Sequence, residues 1–231
     1  MKSSARSLLV FLFISIAAVS HGQLLFTQYY EGTSSNKWIE LKNVGTSSIN
    51  LADYSLSLYT NANAEAWKAG TTSSANFALS GTLAAGSIYI LGNTAGTTPT
   101  YVAENVNNNT VINFNGNDSI VLWNDTLSYS TSQIVDALSF TNLGNEGADK
   151  SFYRLNTNTG YNLTTGTSIT NFSSVWATAT LTDVANATLG TNAYLGSSTV
   201  TAIPEPSTYA AIFGALALAG VVVHRRRQAR R

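Results

Sequence analysis

The residues that could do chemistry in this chain are few, and most are carboxylates. Glu31, Glu40, Asp53, Asp118, Asp125 and Asp136 are spread along its central part. Two carboxyls held about 5–9 Å apart could cleave a glycosidic bond, one as acid, the other as base or nucleophile. No spacing among the six points to such a pair, so no catalytic residue is expected. Cysteine is absent, and the two histidines, His21 and His224, lie near the ends. This removes Ser-His-Asp and Cys-His nucleophiles, zinc sites built on His or Cys, and any disulfide framework. Asn115, Asn117, Asp118 and Asp125 carry oxygen donors of the kind calcium takes, but the usual loop spacing with a closing bidentate Glu is missing. Turn capping is their expected role, and neither a metal nor a cofactor is expected. Trp38, Trp67, Trp123 and Trp176, with eleven tyrosines, supply ring surface. Trp38 and Trp67 are the candidates for a platform on which a sugar ring stacks. The competing role is packing on a second sheet or pairing with an aromatic across strands.

The elements that must hold these residues follow from the composition. Hydrophobic residues make up 44% of the 231, enough for a core. Charged residues make up only 10%, against about 25% in an average domain. Ser, Thr, Asn and Gly stand in their place, which favours strands and turns over exposed helix faces. The zero net charge hides an asymmetry. Lys2, Arg6, Arg225, Arg226, Arg227, Arg230 and Arg231 lie at the two ends, and between Gln23 and Ile203 five cations face 11 anions, a net charge of −6. An acidic body lacks the Lys and Arg that neutralise phosphates, so no nucleic-acid partner is expected.

The ends read as addresses. Met1-Lys2-Ser3-Ser4-Ala5-Arg6 precedes an uncharged stretch from Leu8 to Val19. A basic start, a short apolar run and small residues after it form a secretory signal peptide, expected over 1–22. Cleavage after Gly22 is preferred over cleavage after Ser20 and leaves Gln23 first. At the other end, residues 193–202 form a Ser/Thr-rich linker. Ile203-Pro204-Glu205-Pro206-Ser207-Thr208 follows, then an uncharged run from Tyr209 to Val223, then His224-Arg225-Arg226-Arg227-Gln228-Ala229-Arg230-Arg231. The run holds about 15 residues, marginal for a bilayer core near 30 Å thick. A single transmembrane helix is the expectation, with Arg225, Arg226, Arg227, Arg230 and Arg231 as its topology signal on the cytoplasmic side.

This three-part tail, residues 203–231, resembles the PEP-CTERM sorting signal of Gram-negative bacteria, with Pro204, Glu205 and Pro206 as the sorting motif. The resemblance implies recognition and cutting by an exosortase near that motif. It also implies export through the secretion machinery, transient anchoring in the cytoplasmic membrane with the body outside, and delivery to the cell surface or an extracellular matrix. Exopolysaccharide and matrix proteins are the partners it suggests.

The body alternates in the manner of strands. Leu24 to Tyr30 opens it, and Glu31 to Asn36 turns the chain. Lys37-Trp38-Ile39-Glu40-Leu41-Lys42-Asn43 sends Ile39 and Leu41 to one face and Trp38, Glu40 and Lys42 to the other. That is the pattern of a half-buried strand whose second face is solvated. Tyr54 to Tyr59 alternates again. Thr60 to Asn76 reads as a long polar loop carrying Trp67. Ser87 to Gly92 is a strand. Asn107-Asn108-Asn109 marks a loop before the apolar run Val111 to Phe114, and Asn115-Gly116-Asn117 is a tight-turn signal. Ser119 to Trp123, Gln133 to Leu138 and Lys150 to Leu155 follow as strands, with Val175-Trp176 near the end. Some eight strands with frequent turns predict a β-sandwich.

These stretches resemble the lamin tail domain, an immunoglobulin-like sandwich. Tyr29-Tyr30-Glu31-Gly32 through Asn36-Lys37-Trp38-Ile39-Glu40-Leu41-Lys42-Asn43 is similar to its opening hairpin, and Leu51-Ala52-Asp53-Tyr54-Ser55-Leu56 to its next segment. Asn115-Gly116-Asn117-Asp118-Ser119-Ile120-Val121-Leu122 is similar to its later strand entry. Ile134-Val135-Asp136, Ser151-Phe152-Tyr153-Arg154, Trp176 and Leu189-Gly190 follow in order. The expected fold is an all-β immunoglobulin-like β-sandwich over 23–192. A fold alone says little about chemistry. The expected function is that of a non-catalytic structural or adhesive module, with a carbohydrate-binding module as the alternative and a carboxylate-based hydrolase behind it.

Overall fold

The computed structural model describes residues 24–32, 34–61, 66–93, 95, 105–107, 110–124, 130–139, 147–155, 176–179, 181 and 206–228. Twelve strands stand among them: β1 (Leu24–Glu31), β2 (Lys37–Asn43), β3 (Ile49–Asn50), β4 (Ser55–Tyr59), β5 (Ala75–Ala78), β6 (Thr82–Leu83), β7 (Ile88–Gly92), β8 (Asn105–Asn107), β9 (Ser119–Trp123), β10 (Ile134–Leu138), β11 (Lys150–Arg154) and β12 (Trp176–Ala179). The larger sheet runs β12-β11-β1-β2-β7-β8, the smaller β10-β9-β4-β5, and β3-β6 form a short pair. All pairings are antiparallel except β7 with β8.

Alternation decides which residues fill the space between the sheets. Phe26, Tyr29, Ile39, Leu41 and Leu91 come from the larger sheet, and Leu56, Leu58, Ile120 and Leu122 from the smaller, all in one buried cluster. Val111, Ile112 and Phe114 join that cluster, although their apolar run is bend and coil rather than strand. Tyr29 and Phe114 meet with ring centroids 4.8 Å apart.

The second face of β2 departs from expectation. All seven residues of the strand are buried, Glu40 and Lys42 included. The reason is a second apolar layer on the outside of the larger sheet. Tyr30 and Trp38, paired across β1 and β2, carry Ile90 beside them, with Ile88 and Leu181 packed on top. The outside of the smaller sheet is closed in the same way. Tyr59, Val121 and Trp123 point outward, and Trp67 lies against them. Trp67 arrives on a 3-10 turn, Ala66–Ala69, so the polar stretch from Thr60 to Asn76 is more than a loop. It also begins β5. Two hydrogen bonds brace it: Tyr59 Oη donates to the Thr71 carbonyl at 2.9 Å and Thr71 Oγ1 to the Ala66 carbonyl at 2.8 Å.

A helix, α1 (Pro206–Gln228), forms the described part of the C-terminal tail. Phe213, Leu216, Leu218, Val221 and Val222 are exposed on it, and so are Arg225, Arg226 and Arg227. The expectation of a transmembrane helix is corrected here: among the described residues no helix is long and apolar enough to cross a membrane. The uncharged run within α1 extends about 22 Å at 1.5 Å per residue, short of a hydrocarbon core of about 30 Å. The expected signal peptide, the linker, Pro204, Glu205, Arg230 and Arg231 lie outside the described residues, as does Asp125.

Candidate functional site

Four carboxylates are buried among the described residues: Glu31, Glu40, Asp118 and Asp136. Each is engaged by the fold. Asp136 reaches the position where β1 and β10 come together. Both strands carry an irregularity there, β1 between Phe26 and Gln28 and β10 between Ile134 and Asp136. A bulge turns backbone groups away from the ladder and leaves them to find partners. The Phe26 N–H donates to Asp136 Oδ2 at 3.0 Å, and the Phe26 carbonyl accepts from Arg154 Nε at 2.6 Å. Arg154 also donates through its terminal nitrogen to Asp136 Oδ2 at 2.5 Å. Its guanidinium stacks on the Trp176 ring, 4.6 Å from the centroid. Asp136 belongs to the smaller sheet and Arg154 to the larger, so the pair ties the two sheets together. Burial pushes the Asp136 carboxyl up, opposed by the Arg154 guanidinium and by the N–H groups of Phe26 and Ala137.

A second group gathers around the β1–β2 turn. Lys37 Nζ lies 2.8 Å from Glu31 Oε1, and Tyr29 Oη donates to Glu31 Oε2 at 2.8 Å. Burial raises the Tyr29 phenol well above its ordinary value, and the Glu31 charge adds to the rise. Asp118 takes the Asn61 N–H on one oxygen at 2.7 Å and the Asn115 N–H on the other at 2.6 Å. Burial raises its carboxyl, against those two N–H groups and the Lys37 charge. Asp118 thus caps the turn expected at Asn115-Gly116-Asn117 and joins it to the loop at Asn61. Glu40 accepts from Thr27 Oγ1 at 2.5 Å, at the β1 bulge. Asp53 is exposed and takes an Asn50 amide at 3.3 Å. Among the described residues no group of His, Cys, Asp and Glu could hold a metal ion.

The two platform candidates are placed apart, on the outer faces of different sheets, and both are buried. Trp38 stacks on Tyr30 with centroids 3.8 Å apart and planes 5° from parallel, and it is 2% exposed. Trp67 is 0% exposed, with Lys68 Nζ 5.6 Å from its ring centre. Neither ring offers a free face for a sugar, and both take the packing role that competed with it. Trp123 is buried as well, its indole N–H donating to Ser57 Oγ at 3.0 Å.

Sequence reasoning missed the Asp136–Arg154 tie, though both residues stood in the stretches it picked out. The signal was present. Arg154 is the sole arginine between Gln23 and Ile203, and it shares a strand face with Phe152. An arginine on an apolar face of a charge-poor chain implies a buried acid, because an unpaired charge is costly there.

Two packed sheets, four buried carboxylates committed to holding backbone and side chains, and tryptophans buried in layers on the outer sheet faces define an immunoglobulin-like β-sandwich. The Lamin Tail Domain family matches residues 17–142, more than half of the chain, and the chain belongs to that family. No curated protein matches it. The family match ends before β11 and β12, whereas the sheet continues through both.

Proposed function

We propose that this protein is an exported structural or adhesive module of a cell surface or extracellular matrix, non-catalytic and associated with exopolysaccharide. One observation carries the reading: the order Pro204-Glu205-Pro206, apolar run, arginine cluster at the end of a chain that opens like a signal peptide. In this reading an exosortase recognises Pro204, Glu205 and Pro206 and cuts close to them. The chain is anchored transiently at the cytoplasmic membrane until then, with Arg225, Arg226, Arg227, Arg230 and Arg231 as its topology signal. The family supports a module of binding or scaffolding type, and the engagement of the buried carboxylates supports a domain without chemistry of its own. The test is intact mass and fractionation of the native protein beside a Pro204→Ala/Glu205→Ala/Pro206→Ala variant. Wild type losing its arginine tail and leaving the inner membrane, with the variant retained, is the expected result. Both retaining the tail in the inner membrane would overturn the sorting reading.

A further inference from the structure

We propose that the Asp136–Arg154 pair is a closing clasp that makes completion of the sandwich wait for its C-terminal strands. The geometry starts at β1. Its first edge is met at once by β2, a hairpin neighbour. Its second edge is met only by β11, in the register Gln28 to Tyr153 through Glu31 to Lys150. Where that register ends, the backbone of Phe26 is left without a strand partner on this side, and the clasp takes over. Asp136 receives its N–H from 110 residues away and Arg154 binds its carbonyl from 128 away. Closing contacts of such separation bears a large loop entropy, and they form late unless something local precedes them. Without Arg154, Asp136 is a buried carboxylate lacking its counter-charge, so the two sheets close only at high cost. The arginine therefore acts as a condition on closure as well as a contact within it.

The consequence for an exported chain rests on the export reading above. A chain threaded N-terminus first presents β1 and β2 long before Arg154, and it stays open, as translocation requires, until β11 has passed. The clasp itself is testable in solution, so its failure and the failure of the export reading are separate events. The experiment is stopped-flow folding and unfolding of the full chain as wild type, Arg154→Met, and Asp136→Leu/Arg154→Met. Arg154→Met should lower the folding equilibrium constant by about two to three orders of magnitude. It should act mainly by accelerating unfolding, as expected of a contact made after the transition state. The double variant, with no charge left to compensate, should recover most of that loss. If Arg154→Met does not fold at all, recovery in the double variant still supports the clasp. The proposal falls if Arg154→Met matches wild type, if it slows folding without accelerating unfolding, or if the double variant is no better than the single.

Discussion

Tyr29 shows how one side chain can act in opposite directions at different pH. Its ring fills the core against Phe114 and its hydroxyl donates to Glu31. Its folded pKa is raised above the ordinary 10.0. A group raised in this way contributes stability that is fully present below its unfolded pKa and is lost as pH rises through the folded one. Tyr29→Phe should therefore cost about 1.5–3 kcal/mol at neutral pH, the value of a hydrogen bond to a charged group. Above pH about 10 its stability should fall less steeply than that of wild type. Thermal melts between pH 7 and 12 check both halves, and a parallel offset of the two curves would refute the second. Tyr30, Tyr54 and Tyr89 are also raised by burial, so part of the alkaline slope remains in the variant. The contact was missed in the sequence because Glu31 was read as the start of the turn, whereas it ends β1 on the same face as Tyr29.

At the scale of elements, the strands were legible and their coverings were not. The alternation in Lys37–Asn43 identified β2 to the residue and assigned Ile39 and Leu41 to the core. It could not say what lies on the other face, because Tyr30, Ile90 and Leu181 come from three separate parts of the chain. The loop from Thr60 to Asn76 looked polar because a single residue, Trp67, carries its packing. Trp67→Ala should cost about 3–5 kcal/mol and shift the emission of the remaining tryptophans to the red as Trp123 becomes wetter. An unshifted spectrum with an unchanged melting temperature would contradict that packing. Strand β8, Asn105–Asn107, has no β-forming residue but Val106, so propensity gave no warning of it. The turn at Gly116, by contrast, was signalled by its sequence. A methyl there would lie 2.1 Å from the Ala148 backbone nitrogen, and the Gly147 N–H donates to the Gly116 carbonyl at 2.9 Å. Gly116→Ala should then cost about 1–3 kcal/mol, visible as a lowered melting temperature.

At the scale of the molecule, the family match and the folding unit have different ends. The match stops at residue 142, yet β11 closes the second edge of β1 and supplies Arg154, while β12 supplies Trp176 beneath the guanidinium. A chain terminated after Asn142 should show no cooperative unfolding transition by circular dichroism. A chain that retains β11 and β12 should show one, and equal cooperativity in the two would place the domain boundary earlier. The sandwich was legible because turn signals and alternation recur throughout. Strands β11 and β12 were legible too, in Lys150 to Leu155 and Val175-Trp176; the tie they complete was not, because it leaves only a single unusual letter, here one arginine.

The tie between the sheets also bears on where such a module can work. A sandwich stitched across its middle by sulfur depends on the electron balance around it, since a reducing milieu opens the bond. This chain has no cysteine and crosses the same gap with a carboxylate and a guanidinium, both buried. Its seam is indifferent to oxygen supply, and burial shelters it from the salt that weakens exposed charge pairs. An oxygen-starved layer and an aerated one would meet the same fold.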